Sequence, residues 1–182
     1  MSGMWRGAQP APRERLLVCL DLQRGSLEAG EAPDRCVVNC RRVLAHAREA
    51  DWRIVHVHTR LADAAQAKPI PGLEPLLTEA VVYRAGGSAF SSRAFRMMVA
   101  GMASCELVII GYSVAASCLS TGLIAYDQDI AVTVVEDAIC STSLDDETRE
   151  AIKALSSQMA KPFIAMKSAD NLVGAPRLLR AV

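Results

Sequence analysis

Residues 107–141 read LVIIGYSVAASCLSTGLIAYDQDIAVTVVEDAICS. Leu107 to Tyr112 is a near-continuous apolar run, the pattern of a strand buried on both faces of a parallel sheet. Ala115 to Tyr126 is apolar almost all round, so a central helix buried against that sheet is expected. A second apolar run, IAVTVVED (130–137), follows it. Strand, helix and strand in succession imply parallel pairing through a crossover, and hence a sheet covered on both faces.

The same character recurs on either side. LLVCLDLQ (16–23), RIVHVHT (53–59), AVVYR (80–84) and PFIAM (162–166) bring the candidate strands to six. Cys36, Cys40, Val43, Leu44 and Ala47 fall on one apolar helix face, with a cap expected near Asp34. Asp145 to Met159 is amphipathic and charged on one side, as an outer helix would be. LADAAQAKPIPGLEP (61–75) is a long, Pro-punctuated loop of the kind that often frames a site.

Composition narrows the partners. The 182 residues are 51% hydrophobic with a formal net charge of zero, which describes one ordinary globular domain. That domain is expected over 16–182, after a flexible Pro-, Gly- and Arg-rich tail at 1–15. No basic stripe marks a nucleic-acid or anionic-membrane binder, so a small-molecule partner is expected. Neither a secretion signal nor a run of transmembrane length is present, which makes the cytoplasm the expected compartment. The six cysteines (Cys19, Cys36, Cys40, Cys105, Cys118 and Cys140) are then expected to stay reduced as small core residues. Cys36 and Cys40 share a helix face, yet no further Cys or His spacing completes a zinc site, and no metal or other cofactor is expected.

Open parallel sheets bind ligands at the carboxyl ends of strands, where the strand order reverses. Asp21 closes the first strand, and Gly111 precedes a short turn into the central helix, whose first N–H groups can hold an anion or oxyanion. If these strands are neighbours, a carboxylate faces a helix N-terminus.

LLVCLDLQ, then VVYRAGGSAF, then the 107–141 stretch resemble, in order and spacing, the three signature blocks of the isochorismatase-like cysteine hydrolases. The resemblance runs from about Leu16 to Val173 and implies a Rossmann-like, three-layer α/β/α fold with six parallel strands. It also implies a general acid or base at Asp21, a Lys in the second block and a nucleophilic Cys at the helix N-terminus. Arg84 stands at the Lys position and Ser117 at the Cys position, with Cys118 one residue late. Gln23, Ser88, Phe90, Tyr112 and Ser113 are the implied substrate-binding positions, and members of the family commonly form dimers or larger homo-oligomers.

Each departure has a chemical meaning. Consecutive helical residues point about 100° apart, so Cys118 should face away from the pocket that Ser117 faces, and becomes a nucleophile only if the helix start shifts. A serine hydroxyl needs a positioned base, normally histidine, and no histidine occupies a motif position: His46, His56 and His58 all read as structural. Arg84 cannot lose a proton; its planar fork either anchors a substrate carboxylate or pairs with Asp21. The isochorismatases proper also lack the Cys and protonate a vinyl ether through the Asp, but they keep the Lys. Ser26 stands where Phe is frequent and Arg93 where Thr is expected. The Asp and His cluster of zinc-dependent nicotinamidases is reduced here to Asp63 beyond His58. Two readings follow: a hydrolase of a small carbonyl (amide-type) or vinyl-ether substrate using Asp21 and Arg84 with Ser117 or Cys118, and a non-catalytic relative kept as a binding or assembly module.

Overall fold

In β1 (Glu14–Leu20), successive side chains point to opposite faces of the sheet, and this alternation builds two cores. Leu17 and Cys19 enter one apolar cluster while Leu16, Val18 and Leu20 enter the other, all fully buried. The computed structural model of the chain describes residues 14–27, 35–112, 117–140 and 164–174.

Six parallel strands form one sheet in the order β3-β2-β1-β4-β5-β6. The remaining strands are β2 (Arg53–Thr59), β3 (Ala80–Arg84), β4 (Cys105–Tyr112), β5 (Ala131–Cys140) and β6 (Ile164–Lys167). One face carries α1 (Arg35–Glu49), whose Cys36, Cys40, Val43, Leu44 and Ala47 are buried as the periodicity required, together with α4 (Ala169–Val173). The other face carries α2 (Arg93–Ala100) and α3 (Leu119–Asp127), through Phe95, Val99 and Ala125. The result is the three-layer α/β/α architecture. From β1 the chain first builds outward to β2 and β3, then returns to β4 on the other side, so the strand order reverses between β1 and β4.

Several expectations need correction. α3 is not buried all round: Thr121, Gly122 and Ala125 are buried, while Leu119, Leu123, Ile124 and Tyr126 are half-buried. A helix in an outer layer has only its sheet side to bury, whatever its composition. The cysteines are not all free thiols: Cys36 and Cys140 form a disulfide, and Cys40 Sγ lies 4.0 Å from Cys140 Sγ. The sequence separation of 104 residues hid this convergence. β1 begins at Glu14, inside the expected tail, because Glu14 and Arg15 pair with Cys105 and Glu106. α2 was not anticipated; only Phe95 and Val99, one turn apart, mark its buried face. The expected cap at Asp34 and the outer helix at 145–159 lie outside the described residues.

One partly buried polar network ties α1 to the sheet. Arg48 holds the Glu79 carboxylate at 2.7 and 3.0 Å, and His56 Nε2 meets the same carboxylate at 2.9 Å. Burial alone would raise the pKa of Glu79, but the hydrogen bonds from Arg48, the Leu76 N–H and His56 outweigh it and hold the acid down at about 2. At the sheet edge, β3 exposes Val81 and Tyr83, and the Arg60 guanidinium lies 4.8 Å over the Tyr83 ring. Among the described residues no helix is long and apolar enough to cross a membrane.

Candidate active site

The strand order places the carboxyl ends of β1 and β4 side by side, with Leu20 paired to Gly111. Asp21 follows Leu20 with a φ of 47°, a left-handed conformation that ends the strand and that Asp tolerates better than most residues. Its N–H donates to the Val57 carbonyl at 2.9 Å, and its own carbonyl accepts from the Ser26 hydroxyl at 2.8 Å. Ser26, where the family resemblance expects a Phe, thus fixes the backbone of the acid.

Four donor groups converge on the Asp21 carboxylate. Arg84 donates from Nε to Oδ1 at 3.3 Å and Oδ2 at 3.0 Å, and from Nη2 to Oδ2 at 2.6 Å. The Thr59 hydroxyl donates to Oδ1 at 2.9 Å, and the Ser117 hydroxyl to Oδ2 at 3.2 Å. The guanidinium is held in turn by the Gly86 carbonyl and, at 3.4 Å, by that of Gly87. Of the two roles left open for Arg84, the structure shows the ion pair with Asp21. The pair is largely buried, with side-chain exposures of 16% and 9%, so little water competes with it.

Ser117 is 1% exposed and sits in a short π turn that leads into α3. Thr121 fixes this turn: its hydroxyl donates to the Ser117 carbonyl at 2.6 Å and accepts from the Ala89 N–H at 2.9 Å. Cys118, by contrast, belongs to the core cluster between the sheet and α2, the separation that the 100° helical step predicts. Burial above all pushes its thiol pKa far up, which leaves no thiolate for attack.

The implied binding positions divide. Gln23 is 1% exposed, and its carboxamide donates to the Thr59 and Ala67 carbonyls and accepts from the Thr59 N–H, clamping the loop 61–75 to the sheet. The Ser88 hydroxyl accepts from the Phe90 N–H and lies 3.5 Å from Thr121 Oγ1. Phe90 stacks edge-on against Phe95 at 5.0 Å within the core, and Tyr112 packs into the cluster under α1. Ser113 lies outside the described residues. Asp63 is exposed and accepts from the Ala65 N–H. Among the described residues, the one group of side chains with metal-ligand spacing is Cys36, Cys40 and Cys140, not a set at Asp21. Thr59 was missed from the sequence; a polar residue closing β2 beside the strand that ends in Asp21 is the signal that finds it.

The Isochorismatase domain family matches residues 15–166. The chain therefore belongs to the isochorismatase family and has its hydrolase fold. Among solved structures, an isochorismatase from Pseudomonas putida KT2440 superposes with a TM-score of 0.72 at 23% identity, covering 88% of this chain and 92% of that one. A cysteine hydrolase from Pseudomonas syringae pv. phaseolicola gives 0.73 at 12% identity over 88% and 91%. An isochorismatase family protein from Desulfovibrio vulgaris gives 0.73 at 20% identity over 88% and 97%. A search among curated proteins finds no match.

Proposed function

We propose that this chain is a hydrolase of small, carboxylate-bearing substrates of the amide type, with Asp21 as the proton-transfer group, Arg84 as the anion anchor and Ser117 as the hydroxyl beside the reacting carbonyl. The observation that carries this reading is the single carboxylate held by Arg84, Thr59 and Ser117 where the strand order reverses. Among the described residues, Arg84, Thr59 and Ser117 all donate to Asp21, so the carboxylate is set to accept a proton rather than give one. That favours attack on a carbonyl over protonation of a vinyl ether. A substrate carboxylate competes for the guanidinium fork and draws Arg84 off Asp21, freeing the base at the moment of binding. The Ser117 hydroxyl, already donating to Oδ2, then passes its proton to Asp21 as its oxygen adds to the carbonyl. The amide C–N bond breaks with that proton going to the departing amine, and water cleaves the resulting ester to release the acid and restore the hydroxyl.

A second reading has its own observation: both oxygens of Asp21 are occupied in the closed pair. A pair that never opens makes the chain a binding or assembly module. Turnover of a panel of amides with and without a carboxylate, by the wild type, Asp21→Asn and Arg84→Lys, separates the two. The proposal expects turnover of acidic amides only, abolished by Asp21→Asn and weakened mainly in KM by Arg84→Lys. Saturable calorimetric binding of the same acids with no turnover would establish the second reading.

A further inference from the structure

Cys36 and Cys40 lie one turn apart on α1, and Cys140 ends β5; their three sulfurs lie within 4.8 Å of one another. Cys36 and Cys140 are bonded, with Cα atoms 5.5 Å apart, at the usual spacing of a disulfide. Cys40 is the bystander. Its thiol donates to the Ala138 carbonyl at 3.1 Å, and burial pushes its pKa up to about 12, so it stays protonated and does not displace either bonded sulfur.

The position of the bond gives it reach. Cys140 pairs with Tyr112 and Ile139 with Gly111, the last two residues of β4. Gly111 pairs with Leu20 so closely that a Cβ placed on it would meet the Leu20 carbonyl oxygen at 2.0 Å, and Leu20 precedes Asp21. A continuous hydrogen-bonded path thus runs from the disulfide through the carboxyl ends of β5, β4 and β1 to the acid.

We propose that Cys36 and Cys140 form a reversible redox clasp that keeps the carboxyl ends of β5, β4 and β1 aligned, firm when oxidised and loosened by a dithiol reductant. A thiolate of the dithiol attacks Cys36 Sγ, the more accessible sulfur at 8% residue exposure against 2% for Cys140. The Cys36–Cys140 bond breaks and Cys140 leaves as a thiolate. The second thiol of the reductant then displaces Cys36 and closes its own disulfide. Two electrons and two protons pass to the protein, which ends with two more thiols.

Thiol counting on the full chain tests this directly: the native protein is treated with dithiothreitol, quenched in acid, freed of reductant and counted in denaturant, because the four free thiols are buried in the fold. The oxidised protein offers four free thiols (Cys19, Cys40, Cys105 and Cys118) and the reduced one all six. We expect a reversible change from four to six without unfolding, and a fall in Tm of roughly 10 °C on opening the long loop. Amide hydrogen exchange in peptides covering 14–22 and 105–112 is expected to rise about tenfold on reduction. Cys140→Ala should show the fast exchange in either redox state, with Cys36→Ala as its substitute if that chain fails to fold, whereas Cys40→Ala should switch like the wild type. A count fixed at four until the protein unfolds would make the bond an inert staple and overturn the proposal. So would six thiols that persist under peroxide, or a switch that leaves both peptides unchanged.

Discussion

Thr59 shows how one side chain shapes the candidate site. Its hydroxyl donates to Asp21 Oδ1 while its backbone N–H and carbonyl hold Gln23, so a single residue orients the acid and anchors the loop beside it. Thr59→Val keeps the shape and the backbone contacts and removes the one donor. The expected result is a stability loss of about 1 kcal/mol by urea unfolding and turnover reduced about tenfold with KM unchanged. A rise in KM alone would instead assign Thr59 to substrate binding. At this scale the sequence was readable where a residue type is chemically committed. Asp21, Arg84 and Ser117 are a carboxylate, a fixed cation and a hydroxyl, and the structure brings the three together. The role of Thr59 was not readable, because a threonine at a strand end is common and only the neighbouring strand gives it meaning.

At the scale of elements, Gly111 is the tightest joint. Its φ of 124° lies where only glycine is comfortable, and the space for a Cβ is filled by backbone atoms of Leu20, which cannot give way. Gly111→Ala is expected to cost more than about 3 kcal/mol and to displace Asp21 from Ser117; denaturant unfolding together with titration of an acidic substrate analogue checks both effects. Strand identities were legible because buried parallel strands are continuous apolar runs. β2 and β3 coincide with RIVHVHT and AVVYR. The exposure of α3 was not legible, since composition reports what a helix is able to bury and not how many neighbours surround it. The disulfide escaped for a related reason: spacing along α1 brings Cys36 and Cys40 together, but only the folded sheet delivers Cys140 from 104 residues away.

For the whole molecule, stability should depend on pH in two limbs. His58 is buried, its Nε2 has no partner among the described residues, and burial followed by the nearby His56 lowers its pKa from 6.5 to about 4. His56 is lowered in the same direction, first by burial. The unfolded chain therefore binds more protons than the folded one below pH 6.5, and stability falls from there to about pH 4. Glu79, ordinarily near 4.5 and here about 2, contributes stability above 4.5 that is lost as the pH falls through about 2. Urea midpoints measured from pH 8 to 2 should show a plateau and then both limbs. His58→Leu should flatten the first limb and Glu79→Gln the second; a profile that rises on acidification would contradict both assignments.

The Arg60 guanidinium over Tyr83 has a consequence for behaviour in concentrated solution. A chain with a formal net charge of zero and a pI near 6.8 has no long-range repulsion between copies at neutral pH, so encounters end at contact distance. There the outermost strand offers Val81 and Tyr83, an adhesive border that the Arg60 cation overlies. Arg60→Ser removes a single charge at the residue that follows Thr59, the last of β2. With the Tyr83 ring uncovered, the osmotic second virial coefficient should become more negative in static light scattering near pH 7; an unchanged or more positive value would contradict this role for Arg60.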